Sequence, residues 1–246
     1  MSKIVGKAAL VTGANRGIGR AFVAGLLEAG AAKVYATARK PETLKDLVAA
    51  ADGRVEALAL DVTKPEMIAA VAEKSDVALL VNNAGIAGFA SFLNAPSIDG
   101  ARAEMETNYI APLNMARAFA PVLKANGGGA IINISSIAGH VNFPVLGTYS
   151  ASKAAVHSLT QGLRAELAEQ GTQVVGVYPG PVDTDMAAQF DADKVAPLEV
   201  VKTILAALEK GEESVYPDPV SEQIYGQILA DPLAVEKMIG QTYLPG

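Results

Sequence analysis

The chain has 246 residues, of which 50% are hydrophobic and 19% charged, and this composition excludes an intrinsically disordered protein. It has no cysteine and two histidines, which excludes disulfides, thiolate catalysis and cysteine-rich or histidine-rich metal sites. A net charge of −6 without a long basic run argues against nucleic-acid binding. No signal-peptide core and no membrane-spanning apolar stretch is present. We therefore predict a soluble, cytoplasmic, single-domain protein without a metal.

Short apolar runs recur along the chain and are separated by amphipathic stretches. Most of the runs are rich in Val, Ile, Leu or Ala. Continuous apolar runs of this kind are typical of strands that are covered on both faces, as in a parallel sheet. The predicted strands are Ala8–Val11, Lys33–Thr37, Val55–Leu60, Val77–Val81, Ala130–Ile134 and Gln173–Tyr178.

Apolar residues at helical spacing fill the gaps between these strands. In the first gap, Ile18, Phe22 and Leu26 lie on one face of a predicted helix. The β-α-β-α order predicts a single-domain α/β fold, a Rossmann-like doubly wound parallel sheet with right-handed crossovers and helices on both faces. The predicted helices span about 17–29, 67–72, 101–125, 149–169, 198–210 and 220–229.

A glycine-rich turn joins the first predicted strand to the first predicted helix. Its sequence is Thr12-Gly13-Ala14-Asn15-Arg16-Gly17-Ile18-Gly19. Glycines let the backbone approach a pyrophosphate closely, and the start of the helix offers free N–H groups and a positive dipole end. The position at a strand-to-helix junction favours a dinucleotide-phosphate site over a purely structural turn.

Further motifs follow the glycine turn in a fixed order. They are Asn82-Asn83-Ala84-Gly85 after the fourth strand, Asn108 in the next helix, Ser135-Ser136 after the fifth strand, Tyr149 and Lys153 at the start of a long helix, and Pro179-Gly180 with Thr184 after the sixth strand. From about Lys7 to Thr184, this ordered set resembles the short-chain dehydrogenase/reductase family. The resemblance implies an oxidoreductase that transfers a hydride between a nicotinamide cofactor and a carbonyl or alcohol.

Tyr149 and Lys153 lie four residues apart, so their side chains share one face of a helix. A free tyrosine has a pKa of about 10, and a nearby ammonium group is expected to lower it toward neutral pH. The resemblance implies that Tyr149 is the general acid/base and that Lys153 binds the nicotinamide ribose and tunes Tyr149. It also implies that Ser136, thirteen residues before Tyr149, anchors the substrate oxygen, and that Asn108 holds a water on the proton path.

The end of the second predicted strand bears on the choice between NAD and NADP. Proteins of this fold that prefer NAD usually carry an acid there, which binds the ribose 2′-hydroxyl. Here the position is Ala38, Arg39 follows it, and Arg16 lies in the glycine turn. Two guanidinium groups without a carboxylate suit a 2′-phosphate, and we predict NADP(H) over the alternative of two solvated arginines.

By resemblance, the cofactor contacts residues from most of the motifs. Asp61 and Val62 are expected at the adenine, and Val182 at the carboxamide of the nicotinamide. The full set of predicted cofactor-binding residues is Gly13, Asn15, Arg16, Gly17, Ile18, Gly19, Arg39, Asp61, Val62, Asn83, Ala84, Gly85, Tyr149, Lys153, Pro179, Gly180, Val182 and Thr184.

The substrate pocket is expected at the carboxyl ends of the strands. Its predicted walls are Gly88–Leu93, His140–Leu146 and Met186–Phe190, and residues 185–197 are a candidate mobile lid within a substrate and C-terminal region, 184–246. The walls place no arginine or lysine to clamp an acid, which favours a mostly apolar ketone or aldehyde over an acidic substrate. The alternative role of their apolar residues is to anchor the loops. These residues are Phe89, Phe92, Val141, Phe143, Val145, Leu146, Met186 and Phe190.

Other functions were weighed against this one. A hydrolase using Ser136 and His140 lacks the Gly-x-Ser-x-Gly turn around the serine. An NADP(H)-binding redox sensor without turnover, and an NAD-dependent alcohol dehydrogenase of the same fold, both stay open. The resemblance also implies a homodimer or homotetramer through the two long helices, of which the second carries the small residues Ala151, Ala154, Ala155 and Ser158.

Overall fold

The computed structural model describes residues 2–190 and 192–244, and within them a seven-stranded parallel sheet forms the centre of the molecule. The strands are β1 (Ala8–Val11), β2 (Lys33–Ala38), β3 (Val55–Ala59), β4 (Val77–Asn82), β5 (Ala130–Ile134), β6 (Gln173–Val177) and β7 (Ser214–Val215). Their order is β3-β2-β1-β4-β5-β6-β7, with every neighbouring pair parallel. This is the doubly wound order, so the predicted Rossmann-like fold is confirmed.

Helices connect the strands and cover both faces of the sheet. They are α1 (Gly17–Glu28), α2 (Lys45–Ala49), α3 (Pro65–Ala72), α4 (Asp99–Glu104), α5 (Ala111–Ala125), α6 (Gly147–Leu167), α7 (Pro197–Lys210), α8 (Pro219–Ala230) and α9 (Pro232–Thr242). A π-helical turn, Met105–Ile110, joins α4 to α5 and makes one long helix of them. Of the helices in the described residues, none has both the length and the apolar character needed to cross a membrane.

Side chains of each strand alternate between two cores. From β1, Val11 enters the core beneath α1 and α7, whereas Leu10 enters the core beneath α3, α5 and α6. Phe22 of α1 fills the first core and Phe119 of α5 fills the second. Because both faces of the central strands are buried, those strands are mostly apolar, with Asn82 and Asn133 as buried exceptions, and this is the pattern that predicted them.

The first six strands agree with the sequence prediction to within one residue at each end. The prediction missed β7, which has only two residues, of which Ser214 is exposed. It also missed α9, where Asp231 caps a helix that buries only Val235 and Ile239. Both elements lie at the edge of the core, where little apolar surface is buried and the sequence pattern is weak.

The crevice of the fold opens at the carboxyl ends of β1 and β4, where the strand order reverses. Thr12 Oγ1 accepts hydrogen bonds from the N–H groups of Asn83 at 2.9 Å and Ala84 at 3.0 Å. Asn83 Nδ2 donates to the carbonyl oxygens of Thr12 at 2.8 Å and Gly13 at 3.2 Å. The glycine turn and the Asn-Asn-Ala-Gly motif are thereby fixed against each other.

Candidate active site

A cleft of about 1040 Å³ lies along the carboxyl ends of the strands. Every residue predicted to bind the cofactor lines it, and so does Ser136. The fold thus brings motifs from the whole length of the chain into one cavity. At one end the cavity is lined by the backbone of the glycine turn and by cationic side chains, and at the other end it is lined by apolar side chains.

The glycine turn forms a cradle of backbone at the first end of the cleft. Gly13 and Gly17 have φ angles of +65° and +51°, in the left-handed region that favours glycine. Gly19 lies so close to the turn that a Cβ atom there would be 2.2 Å from Gly13 O. No side chain caps the first N–H groups of α1, and its first turn has no acidic residue. The cradle therefore fits a pyrophosphate group.

Cationic side chains lie beside this cradle. Arg39 and Lys40 line the cleft just beyond the buried Ala38, which ends β2. Arg16 is exposed, and its Nη1 lies 3.3 Å from Asp185 Oδ2. Thr43 also lines this end of the cleft. The donor set fits a 2′-phosphate, and it includes Lys40 and Thr43, which the sequence analysis did not single out.

Ser136, Tyr149 and Lys153 meet at the floor of the cleft. Ser136 follows β5, whereas Tyr149 and Lys153 lie in the first two turns of α6. Lys153 Nζ donates a hydrogen bond to Ile134 O at 2.8 Å and lies 5.6 Å from the centroid of the Tyr149 ring. Ser135 Oγ instead donates to Lys153 O at 2.9 Å, so this serine fixes α6 while Ser136 lies beside Tyr149.

The pKa of Tyr149 is shifted in the direction opposite to the expected one. Burial raises it to about 12, the Ser136 hydroxyl lowers it in part, and the negative charge of Glu104 raises it further. Burial also lowers the pKa of Lys153 to about 8. The predicted net direction of the Tyr149 pKa shift, downward toward neutral pH, is therefore wrong, because the loss of hydration outweighs the interactions that favour the phenolate.

Asn108 lies behind the wall of the cleft, in the π-helical turn between α4 and α5. Its Oδ1 accepts a hydrogen bond from the N–H of Ile86 at 2.9 Å. Its Nδ2 donates to Ile86 O at 2.9 Å and to Ser152 Oγ at 2.8 Å. Asn108 thus links the loop after β4 to α6, and its role in holding a water stays a prediction.

The second end of the cleft is apolar, and much of the predicted substrate wall lies there. Phe89 and Phe190 pack edge to face, with ring centroids 5.7 Å apart. Phe143 packs against Tyr243 at 5.1 Å. The predicted wall residues that line the cleft are Phe89, Phe143, Val145, Leu146, Met186 and Phe190.

Two of the named wall residues, Phe92 and Val141, lie elsewhere, as does Leu93 at the end of its predicted range, and this corrects the sequence analysis. Leu93 is 95% exposed, Phe92 lies against Gly147, and Val141 is buried in a small core with Val235 and Ile239. Other residues of the same loops line the cleft, because tertiary packing sets which side chains of a loop point inward. The predicted lid, 185–197, includes Asp191, which lies outside the described residues.

The C-terminal region contributes wall residues that the sequence analysis missed. Val220 and Ile224 of α8 and Tyr243 after α9 line the apolar end, together with Ile86 from the loop after β4. Val220 and Ile224 reach the cleft because α8 packs against the turn Ile137–Gly139, which follows β5, and against α9. No local pattern marks such contacts, since they join parts of the chain far apart in sequence.

The two histidines belong to a cluster of aromatic rings outside the cleft lining. His140 Nε2 lies 3.2 Å from the hydroxyl of Tyr216, and His157 Nδ1 lies 2.7 Å from that of Tyr178. Burial lowers the pKa of His140 to about 4, with a further contribution from His157. His140 is therefore paired with a tyrosine and does not contact Ser136 as a hydrolase would require.

Residues 7–195 match the family model described as short chain dehydrogenase. The chain belongs to the short-chain dehydrogenase/reductase family. A family member from Burkholderia cenocepacia, solved in complex with NADP, is 44% identical, with a TM-score of 0.92 over 97% of this chain and 99% of that chain. The uncharacterized oxidoreductase YusZ of Bacillus subtilis is 34% identical over 89% of this chain and 83% of its own. The NADP-dependent 3-hydroxy acid dehydrogenase of Schizosaccharomyces pombe is 29% identical over 89% of this chain and 93% of its own.

In this member of the family, Asp218 supports the Pro179-Gly180 motif from behind. Its buried carboxylate accepts the Gly180 N–H through Oδ2 at 2.7 Å. It also caps α8, because Oδ1 accepts the N–H of Ser221 at 2.9 Å and Oδ2 accepts its hydroxyl at 2.9 Å. Asp218 therefore ties the loop after β6 to the start of α8, a role that only tertiary structure reveals.

We expect Asp218→Ala to lower both stability and cofactor affinity. The lost cap costs about 1–2 kcal/mol, and release of the Gly180 N–H loosens the Pro179-Gly180 wall of the cleft, weakening NADPH binding about fivefold. Asp231→Ala is the matched control, because Asp231 caps α9 through the N–H of Ala234 at 3.0 Å and does not contact the cleft. Thermal unfolding and calorimetric titration check this, and equal NADPH affinity in both variants contradicts it.

Proposed function

We propose that this chain is an NADP(H)-dependent oxidoreductase that interconverts a neutral, mostly apolar ketone or aldehyde and the corresponding alcohol, with Tyr149 as the general acid/base. The observation that carries the proposal is the meeting of Ser136, Tyr149 and Lys153 at the floor of one cleft, between a phosphate cradle and an apolar end. We take residues 1–246 as one catalytic domain, with 184–246 as its substrate region.

NADP(H) is supported as the cofactor by two independent lines. Arg39 and Lys40 line the cleft near the end of β2, where Ala38 stands in place of an acid, and Arg16 lines it from the glycine turn. The Burkholderia cenocepacia structure contains NADP, and the Schizosaccharomyces pombe relative is NADP-dependent. The glycine cradle would hold the pyrophosphate, the three cations the 2′-phosphate, and Lys153 the nicotinamide ribose.

Bound NADPH supplies the hydride, and the chain's own residues bind the substrate and move the proton. The hydroxyls of Ser136 and Tyr149 hold the substrate oxygen at the floor of the cleft. In reduction Tyr149 donates its proton to that oxygen, and its pKa of about 12 in the free protein keeps it protonated for this step. In oxidation it accepts the proton, and a charged Lys153 beside the ring favours the phenolate.

The apolar end of the cleft favours an uncharged substrate. Among the described residues that line the cleft, the cations are Arg16, Arg39, Lys40 and Lys153, and none belongs to the loops of the apolar end. A substrate carboxylate there would be desolvated without an ion pair, which is costly. The second candidate is a 3-hydroxy acid, favoured by the Schizosaccharomyces pombe relative. Turnover of aromatic ketones against short 3-hydroxy acids separates the two.

The cofactor prediction is tested by calorimetric titration with NADPH and NADH. We expect NADPH to bind about tenfold or more tightly, because a charge-assisted hydrogen bond contributes about 1.5–3 kcal/mol. Arg16→Ala and Arg39→Ala should each lose most of this preference without weakening NADH binding. Arg102→Ala is the control, since Arg102 pairs with Asp99 away from the cleft. Equal affinity for both cofactors would contradict this prediction and favour the alternative of an NAD-dependent alcohol dehydrogenase of the same fold.

Turnover decides between an enzyme and the alternative of a redox sensor. A sensor binds NADPH and reduces no carbonyl, whereas the proposed enzyme consumes NADPH only when a carbonyl is present.

The homodimer or homotetramer and the cytoplasmic location stay predictions. On α6, Ala151, Ala154 and Ser158 are exposed in the single chain, and they are the small residues expected at such an interface.

A further inference from the structure

Glu104 is a buried carboxylate that the proposed chemistry does not use. It ends α4 and is only 1% exposed. Its Oε1 accepts the N–H of Gly88 at 2.7 Å, and no partner for its Oε2 is present in the described residues. Burying a carboxylate is costly, and a neutral acceptor could satisfy one N–H group. The bond to Gly88 is therefore the contact through which this buried side chain can act on the cleft.

The bond to Gly88 is one half of a clamp on the loop after β4. Asn108 lies four residues after Glu104, across the π-helical turn, and makes the two hydrogen bonds to Ile86 described above. Glu104 holds Gly88, two residues further along the same loop. One face of the long helix thus fixes the loop at two points, and Phe89 is the first residue beyond the clamp.

Phe89 has a backbone conformation that needs such support. Its φ angle is +51°, in the left-handed region that is costly for a phenylalanine. Its side chain lines the cleft and packs edge to face on Phe190 of the opposite wall. The aromatic pair therefore forms part of the lining at the apolar end of the cleft, and its position depends on the backbone that Glu104 holds.

We propose that Glu104 is a positioning residue that determines substrate size and shape: through Gly88 it holds Phe89 against Phe190, so that the cleft selects carbonyls bearing an aromatic or similarly bulky, uncharged group. This inference rests on the proposed function and specifies its substrate class. The negative charge of Glu104, which also raises the pKa of Tyr149, adds to the reasons why an acidic substrate is disfavoured.

The kinetic test compares acetophenone with acetone as substrates. Glu104→Ala should raise the KM for acetophenone about tenfold and leave kcat, the KM for acetone and the Kd of NADPH within about twofold. Glu104→Gln should restore the KM for acetophenone, since its amide oxygen can still accept the Gly88 N–H. Glu106→Ala, an exposed acid in the same helix, is the control. An equal loss on both ketones, or no rescue by glutamine, overturns the proposal.

A second variant tests whether Glu104 acts through Phe89. Phe89→Gly removes both the ring and the strained conformation, so it should show the same loss for acetophenone, and adding Glu104→Ala should have little further effect. If Phe89→Gly keeps normal selectivity, or if the two effects multiply, the proposal fails. Where Glu104→Ala does not fold, Phe89→Gly alone still tests the aromatic wall, and normal selectivity in that variant overturns the proposal.

A spectroscopic measurement separates this inference from the proposed function. The chain has no tryptophan, so Phe89→Trp places a single tryptophan in the wall, and its emission can be excited apart from that of the seven tyrosines. Adding Glu104→Ala should shift its emission to longer wavelength and increase quenching by acrylamide, whereas adding Glu104→Gln should do neither. Identical spectra in all three proteins refute the positioning role. A chain that reduces no carbonyl but shows the expected shift refutes the proposed function and keeps the positioning role.

Discussion

Replacing Tyr149 with phenylalanine should lower the kcat for carbonyl reduction about 1000-fold, within the range of about 100–10,000-fold that one general acid contributes. The ring stays in place in the cleft, and only the hydroxyl that is proposed to give its proton to the substrate oxygen is lost. The Kd of NADPH should change by less than about twofold, because the cradle, the cations and Lys153 are unaltered. Steady-state kinetics measure the kcat, and calorimetry measures the Kd of NADPH.

A second tyrosine supplies the control for this variant. The Tyr35 hydroxyl donates to Asp76 Oδ1 at 2.8 Å and lies outside the cleft. Tyr35→Phe removes the same atom and should leave turnover unchanged. If Tyr149→Phe retains a tenth or more of the activity, another group transfers the proton and the assignment of the acid is wrong. A Tyr149→Phe protein that also loses NADPH binding would instead indicate a structural role.

The parts of the fold that the sequence predicted are those with local causes. The strands are apolar runs because both faces are buried, and the glycine turn is recognisable because Gly13, Gly17 and Gly19 each meet a backbone constraint. Tyr149 and Lys153 share a face because four residues make about one turn of helix. Such features depend on residues that are close in sequence, so periodicity and spacing identify them.

The remaining features depend on which distant segments meet. Asp218 contacts Gly180, Glu104 contacts Gly88, and Tyr243 reaches the cleft only because α9 packs behind the loop that holds Val141. The predicted direction of the Tyr149 pKa shift is wrong for the same reason. The spacing predicts a neighbouring amine, but only the packed structure shows that burial dominates both groups.

Burial at Lys153 leads to the second large expected effect, an increase in stability when this lysine is removed. Its side chain is 4% exposed, and burial lowers its pKa from 10.5 to about 8. That difference corresponds to about 3 kcal/mol by which the charged form destabilises the folded state at pH 7. Lys153→Met keeps the stem and removes the charge, at the loss of the bond to Ile134 O. We expect a net gain of about 2 kcal/mol and a melting temperature higher by about 5 °C.

The pH dependence distinguishes this cause from better packing. Below pH 8 both the folded and the unfolded wild-type chain hold the Lys153 proton, so the full penalty is present. Between pH 8 and 10.5 the folded state releases the proton while the unfolded state keeps it, and wild-type stability rises with pH. The stability difference between Lys153→Met and wild type should therefore narrow across this window, whereas Lys237→Met, at an exposed helical lysine, should show no such change. A stability difference between the two proteins that is constant from pH 7 to 10.5 would refute this account.

The expected narrowing would mean that the chain maintains an unfavourable buried amine where it is needed for function, so that stability is lower at the site of the proposed chemistry.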